Sequence, residues 1–313
     1  MVATAFGGPE VLQLRRLEAP VPGAGEVRLR QTAIGVNYID VYVRQGLHRL
    51  IEPPAPIGME AAGVVLESHA PGFSPGDRVA YACLPPGAYA TVRTLPAAQL
   101  VPLPDHVSEE TAAALMLKGM TAEYLLHRAH RLRPGDTVLV HAAAGGVGVL
   151  LCQWARALGA RVIGTVSTET KAALAHAHGC EHPIVTQRYT FAQETRRLSG
   201  GRGADVIYDG LGREAAAENL AALARRGHWL SYGHATGPLD PVSLSEKSGT
   251  FSQPVLFHYT EDLLHQMAGR VFTAVRDGVL APDVRHRYPL GAAADAHRDL
   301  EARRTSGQIV LFP

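Results

Sequence analysis

Gly145, Gly146 and Gly148 flank Val147 in a stretch of four residues that carries the clearest chemistry in this chain. Before them runs Thr137-Val138-Leu139-Val140, a short apolar segment rich in β-branched residues that reads as a buried strand. After them runs Val149 to Gly159, with apolar residues at helical spacing and a final glycine suited to a C-cap. Glycines in such a turn let the backbone approach a ligand closely, and the helix N-terminus adds free N–H groups and partial positive charge. That combination binds a pyrophosphate. A second strand pattern, Arg161-Val162-Ile163-Gly164-Thr165-Val166, follows at the distance that a dinucleotide-binding βαβ unit requires.

The tip of that second strand, Thr165-Val166-Ser167-Thr168, lacks the acid that usually meets the ribose 2′-hydroxyl of NAD. Lys171 stands just beyond it, and a cation there suits a 2′-phosphate, although Glu169 lies close by. Other chemistries find little support. No serine sits in a nucleophile elbow, and no Cys–His spacing suggests a nucleophile and its base. Cys83, Cys152 and Cys180 are the only cysteines, odd in number and widely spaced, so they form neither a disulfide framework nor a metal knuckle. The fifteen histidines are scattered.

The elements that must position these residues follow from pattern. The chain has 313 residues, enough for two domains, and is 46% hydrophobic and 19% charged, a globular composition. Its net charge of +1 carries no electrostatic footprint for nucleic acid or an anionic membrane surface. No apolar run reaches spanning length and no signal-peptide pattern opens the chain, so a soluble, reducing, cytoplasmic setting is expected. Up to about Pro104 the sequence is rich in turns, with strands expected over Val27–Ala33 and Ala61–Glu67 and after Pro75-Gly76-Asp77. Ser108 with Glu109 and Glu110 opens a helix, and a second helix is expected over Thr121–His130. Strands over Asp205–Asp209 and His228–Gly233, separated by a helix over Arg213–Arg225, continue the alternation of a doubly wound parallel sheet. A helix over Tyr259–Asp277 and strands near Arg287 and over Gln308–Phe312 close the chain.

Taken in order, many short pieces resemble the zinc-independent quinone oxidoreductase family, a branch of the medium-chain dehydrogenase/reductase superfamily. They are Gly8-Pro9-Glu10-Val11-Leu12, Gly35-Val36-Asn37-Tyr38-Ile39-Asp40, Gly58-Met59-Glu60-Ala61-Ala62-Gly63 and Gly76-Asp77-Arg78-Val79. Leu117-Lys118-Gly119-Met120-Thr121, His141 through Gly148, Cys152-Gln153-Trp154-Ala155 and Tyr208-Asp209 follow. The resemblance implies an α/β protein with a GroES-like β-rich domain, residues 1–118 and 257–313, and a Rossmann-type doubly wound parallel sheet, residues 119–256. It also implies NADPH as cofactor, a small quinone or enone as substrate, and a homodimer.

Zinc-dependent members of the superfamily place cysteine, histidine and cysteine around the metal, where this chain has Asn37, Met59 and, nearby, Lys118. None of these suits zinc in its usual coordination, and the four-cysteine structural lobe is missing, so no metal is expected. The resemblance puts Asn37, Tyr42, Lys118 and Thr121 at the active centre. Asn37 and Thr121 can hydrogen-bond the ribose or carboxamide. Lys118 can hold a ribose hydroxyl or polarise an acceptor oxygen, and Tyr42 can line the substrate pocket or simply pack. His48 stands where relatives often carry a second pocket tyrosine. For the cofactor, the resemblance implies Gly145, Gly146, Val147, Gly148, Thr168, Lys171, Tyr232, Gly233 and Arg303. The usual Asn-Tyr pair after the third strand is replaced by Val185-Thr186, with Gln187, Arg188 or Tyr189 as substitutes. Two other functions compete: a zinc alcohol dehydrogenase, which Asn37 and Met59 oppose, and an NADPH-binding protein with little turnover, such as a lens or RNA-binding protein.

Overall fold

The computed structural model describes residues 1–313. Strands β1 (Val2–Ala3), β2 (Leu12–Gln13) and β3 (Glu26–Gly35) lead into helix α1 (Tyr38–Gln45). Strands β4 (Ala55–Pro56), β5 (Glu60–Ser68), β6 (Arg78–Ala82), β7 (Val92–Pro96) and β8 (Val101–Pro102) precede the long helix α2 (Glu109–Tyr124). Then β9 (Thr137–Val140), α3 (Gly146–Ala157), β10 (Arg161–Val166), α4 (Glu169–Ala177), β11 (His182–Val185), α5 (Ala192–Leu198) and β12 (Ala204–Asp209) alternate. Helix α6 (Ala216–Ala222), β13 (Leu223–Ser231), β14 (Thr250–Ser252), α7 (Leu256–Arg276), β15 (Val284–Pro289), α8 (Ala293–Glu301) and β16 (Gln308–Phe312) complete the chain.

These elements form two units. One comprises Met1–Met120, Thr260–Arg276 and Pro282–Pro313. Its main sheet has the order β15-β16-β3-β5-β6-β8, with β7 also paired to β3, and a small sheet β2-β1-β4 stands apart. Most pairs are antiparallel, as a GroES-like sheet requires. β3 alternates buried and less buried residues in its first half, so Val27 and Leu29 enter the core while Arg28 and Arg30 face outward.

The other unit comprises Thr121–Tyr259 and Asp277–Ala281. Its six strands, in the order β11-β10-β9-β12-β13-β14, are all parallel. β9 is buried at all four residues, which is why it reads as an unbroken apolar run. From β9 the chain winds outward through β10 and β11, then returns to β12 on the other side. The boundary of β9 and β12 is therefore the topological switch point, where such sheets bind ligands beyond their carboxyl ends. Leu139, Ile163, Phe191, Ile207 and Trp229 fill the core on one face of this sheet.

Local details differ from the sequence reading. No separate helix covers Thr121–His130: α2 runs on to Tyr124 and widens into a π-turn over Leu125–Ala129. Residues 112–124 are buried on every side, so no polar face marks a break between two helices. The helix expected to Arg225 stops at Ala222, because Leu223 already pairs with Ala204 in the sheet. Helix α3 begins at Gly146 rather than Val149, so two of the three turn glycines lie inside it. Helix α1 was not anticipated at all. No helix is long and apolar enough to cross a membrane.

Candidate active site

In the first unit two of the expected residues, Asn37 and Lys118, meet an acid that sequence reasoning passed over. Glu60, the first residue of β5, is fully buried. Its Oε1 accepts a hydrogen bond from Asn37 Nδ2 at 2.8 Å and another from Lys118 Nζ at 2.8 Å. Its Oε2 accepts from the Leu117 N–H at 2.6 Å. Asn37 caps α1 and Lys118 lies on α2, so one carboxylate ties β5 to both helices. Thr121, one turn beyond Lys118 on the same helix and the first residue of the second unit, is also buried.

Asn37 is held from its other side by Asp40, whose Oδ2 accepts the Asn37 N–H at 2.8 Å and the Tyr89 hydroxyl at 3.0 Å. Tyr89 also lies 3.0 Å from His297 Nε2. His297 Nδ1 lies 3.2 Å from Arg44 Nη1, and Arg44 forms a bidentate pair with Glu301 at 2.7 and 2.8 Å. Burial pushes the Asp40 carboxyl up to about 7, against the pull of the Asn37 N–H, the Tyr89 hydroxyl and the Lys118 charge. Burial, with Arg44 beside it, pushes His297 down to about 3, so that imidazole is neutral. Asp40 Oδ1 is buried without a hydrogen-bond partner.

Tyr42 is buried on α1 within an aromatic row. Its ring centroid lies 5.2 Å from that of Tyr38 and 5.2 Å from that of His48. Burial lowers the His48 pKa, which favours the neutral imidazole and leaves this row uncharged. Met59 is fully buried beside Glu60. The side chains at the superfamily's metal positions thus include an amide and an ammonium turned to a carboxylate, a poor donor set for zinc.

In the second unit, α3 starts with no side-chain cap on its first turn, directly after β9. A Cβ at Gly148 would collide with the Ala142 carbonyl and approach Ala143 Cα, so only glycine lets the helix pack this closely on the turn. Gly145, Gly146 and Val147 are half-buried at the mouth of the turn. An uncapped twelve-residue helix at the switch point fits the pyrophosphate of a dinucleotide. Thr168 caps α4, its Oγ1 accepting the Lys171 N–H at 3.2 Å, and Lys171 is half-buried in the first turn.

The turn after β12 is organised by a buried network that was also missed. Asp209 accepts from the N–H groups of Leu211 and Gly212 and from Trp229 Nε1 at 3.0 Å. Asn219 Nδ2 donates to Asp209 at 3.1 Å, and Asn219 Oδ1 lies 2.6 Å from His141 Nε2. His141 Nδ1 lies 2.8 Å from Thr165 Oγ1. An amide oxygen only accepts, so His141 carries its proton on Nε2, and burial keeps it neutral. His141 and Asp209 thereby lock the ends of β9 and β12 to each other. Tyr232 donates its N–H to Asp209 O at 2.8 Å, and its ring covers Gly210, while Gly233 packs on the Gly210 backbone.

Among the substitutes for the missing tyrosine, Tyr189 packs against the apolar core and Gln187 and Arg188 are exposed. Arg303, in the first unit, is exposed just after α8 with a left-handed φ of 57°.

Comparisons with known proteins agree on the kind of molecule. A family model described as the alcohol dehydrogenase GroES-like domain matches residues 23–105. One described as zinc-binding dehydrogenase matches residues 146–261. A 2-haloacrylate reductase from a Burkholderia species is 45% identical, with 98% of this chain and 96% of that protein covered. The quinone oxidoreductase of Pseudomonas syringae pv. tomato superposes with a TM-score of 0.96 at 43% identity, covering 100% of this chain and 98% of the other. The Escherichia coli quinone oxidoreductase, solved in complex with NADPH, superposes with a TM-score of 0.94 at 38% identity and covers 100% and 99%.

Proposed function

Because the chain belongs to the quinone oxidoreductase family of the medium-chain dehydrogenase/reductase superfamily, we propose that it is an NADPH-dependent reductase of quinones or related conjugated carbonyls that works without zinc. The observation that carries this reading is the buried Asn37–Glu60–Lys118 cluster, two donors on one carboxylate where zinc-dependent relatives hold metal. The E. coli relative's NADPH supports the cofactor, and the 2-haloacrylate reductase supports an activated alkene as a class of acceptor.

In this reading residues 119–256 hold NADPH. Gly145, Gly146, Val147 and Gly148 cradle the pyrophosphate at the α3 N-terminus, where the positive end of the helix dipole favours an anion. Thr168 and Lys171 take the 2′-phosphate, Tyr232 and Gly233 border the nicotinamide, and Arg303 contributes a further cation to the cofactor. Residues 1–118 and 257–313 hold the acceptor. NADPH so bound would supply the hydride, and the acceptor would take its proton from water. Negative charge grows on the acceptor's carbonyl oxygen as the hydride arrives. Lys118 offers an N–H to that oxygen, Asn37 and Thr121 orient the ring that faces it, and Tyr42 walls the pocket. The protein's share of the work is orientation and a charge-complementary, partly dry site. A homodimer in the cytoplasm completes the reading, on the strength of the family resemblance and the composition.

Steady-state NADPH oxidation against a panel of small quinones and enones tests the activity, with metal analysis of the same preparation. Turnover that survives chelation, in protein holding no stoichiometric zinc, is expected. One tightly bound zinc per chain, lost together with activity, overturns the zinc-free reading. Saturable NADPH binding with no acceptor turned over defeats the reductase reading.

A further inference from the structure

We infer that Glu60 is the positioning residue of the reaction centre, acting through Lys118 and Asn37 rather than on the substrate itself. The inference rests on the assignment of Lys118 to the acceptor oxygen made above.

The first support is the geometry of the carboxylate. A fully buried carboxylate is retained only when paired and hydrogen-bonded, and Glu60 is paired on both oxygens. The Leu117 N–H fixes Oε2 to the backbone of α2 next to Lys118, so carboxylate and ammonium are registered to the same helix. Oε1 then takes one of the three Lys118 protons and leaves the other two available for hydrogen bonds. It also takes one amide proton of Asn37, which sets the direction of the Asn37 side chain.

The second support is the space the fold reserves for this side chain. Gly35 pairs with Glu60 across β3 and β5. A Cβ at Gly35 would collide with both Glu60 Oε1 and the Ala113 carbonyl. The core of the unit therefore omits a side chain where the Glu60 carboxylate lies. An ion pair serving only to join strand and helix could be replaced by apolar packing at little loss of stability. Here the joined residues are the ones assigned to the acceptor and the nicotinamide.

The third support is electrostatic. Lys118 is only 5% exposed, and an ammonium drawn from water needs an anionic partner to stay a strong donor. Glu60 Oε1, at 2.8 Å, is that partner.

A double-mutant cycle separates positioning from a purely structural role. Glu60→Gln keeps the shape and an acceptor oxygen but removes the charge. It is measured alone, with Lys118→Met, and combined, using NADPH and one enone at a single pH. Expected is a fall in kcat/KM of about ten- to a hundred-fold for Glu60→Gln in the natural background. In the Lys118→Met background the same change should lower it by no more than about three-fold. The loss should fall on kcat, with NADPH affinity within about three-fold of the natural enzyme's. Equal losses in both backgrounds, or a loss confined to NADPH affinity, overturn the inference and leave Glu60 a structural staple. A Lys118→Met enzyme as active as the natural one defeats the assignment of Lys118 itself, and this inference with it. If Glu60→Gln does not fold, Glu60→Asp is carried through the same cycle. That variant keeps the charge but shortens its reach, so kcat/KM should fall only in the presence of Lys118. A loss independent of Lys118 overturns the inference there as well.

Discussion

Arg44 Nη1 lies 3.2 Å from His297 Nδ1, and this contact sets the direction of a whole buried hydrogen-bond chain. A guanidinium only donates, so His297 Nδ1 accepts and the ring proton sits on Nε2. Nε2–H then donates to the Tyr89 oxygen, and Tyr89 donates to Asp40 Oδ2. Asp40, at the end of the chain, holds the N–H of Asn37 and so the mouth of α1.

Two titrations in this chain act on stability with opposite signs. Asp40 is raised to about 7 by burial, while a carboxyl in the unfolded chain stays near its ordinary 3.8. The folded state then binds the extra proton, so stability is full below about pH 4 and is lost as pH rises through 7. His297 is lowered to about 3 from an ordinary 6.5, so its contribution is full above about pH 6.5 and is lost as pH falls towards 3. Asp40→Asn should remove the first effect alone. Relative to the natural protein, the variant should gain about 2–3 kcal/mol of unfolding free energy on going from pH 5 to pH 8. Urea unfolding at the two pH values measures it. Parallel pH dependence in both proteins would mean that Asp40 is not a proton-holding group.

Lys171→Ala should separate the two nicotinamide cofactors. Its backbone N–H bonds the Thr168 cap, and alanine preserves that bond while removing the ammonium. Losing a charge-assisted hydrogen bond of about 1.5–3 kcal/mol should weaken NADPH about ten- to a hundred-fold. NADH affinity should hardly change. Equal weakening of both cofactors, measured by fluorescence titration, would show that Lys171 does not contact the 2′-phosphate.

Gly148→Ala should abolish tight NADPH binding through the backbone rather than through lost contacts. The new methyl would meet the Ala142 carbonyl and force α3 away from the turn. The displaced N–H groups then no longer converge on one anion. A rise in NADPH Kd of about ten-fold or more is expected, with helical circular dichroism retained. Unchanged affinity would show that the pyrophosphate lies elsewhere.

The cofactor cradle was legible in sequence because its logic is local: an apolar strand, a glycine turn and a helix within about twenty residues. The acceptor side was only half legible. Asn37 and Lys118 could be singled out, but their shared partner Glu60 lies 23 and 58 residues from them in the chain. A single acid opening an apolar strand shows nothing of such a convergence until the strands are paired. Helix α1 stayed hidden for a related reason. Tyr38-Ile39-Asp40-Val41-Tyr42-Val43 is rich in aromatic and β-branched residues, which favour a strand. It is helical because the Asp40 carboxylate closes on the Asn37 N–H at one end and Gly46 ends the helix with a φ of 77° at the other. Buried Asp40 and Arg44, four residues apart, then find partners distant in the chain, the Tyr89 hydroxyl for one and the Gly7 carbonyl and Glu301 for the other. His141 and Asp209 fall in the same class, since their link through Asn219 spans 78 and 10 residues.

Tyr42 tests whether the pocket works by orientation or by acid catalysis. Its ring is buried in a row with Tyr38 and His48, and His48 is held towards its neutral form. The charged donor assigned to the acceptor is Lys118, held by Glu60. Tyr42→Phe keeps the ring contacts and removes one hydroxyl. If the hydroxyl alone met the developing oxyanion, kcat/KM for an enone would fall by ten-fold or more, about 1.4 kcal/mol or above. With Lys118 carrying that charge, a loss below ten-fold is expected, smaller still for a quinone, whose reduced oxygens are intrinsically better stabilised. Steady-state kinetics with one small quinone and one enone, alongside an NADPH titration, decide between the two. A loss of about a thousand-fold with NADPH affinity intact would transfer the contact to the developing oxyanion from Lys118 to Tyr42. The positioning of Lys118 by Glu60 would then be a matter of packing, and the catalytic donor would lie on α1.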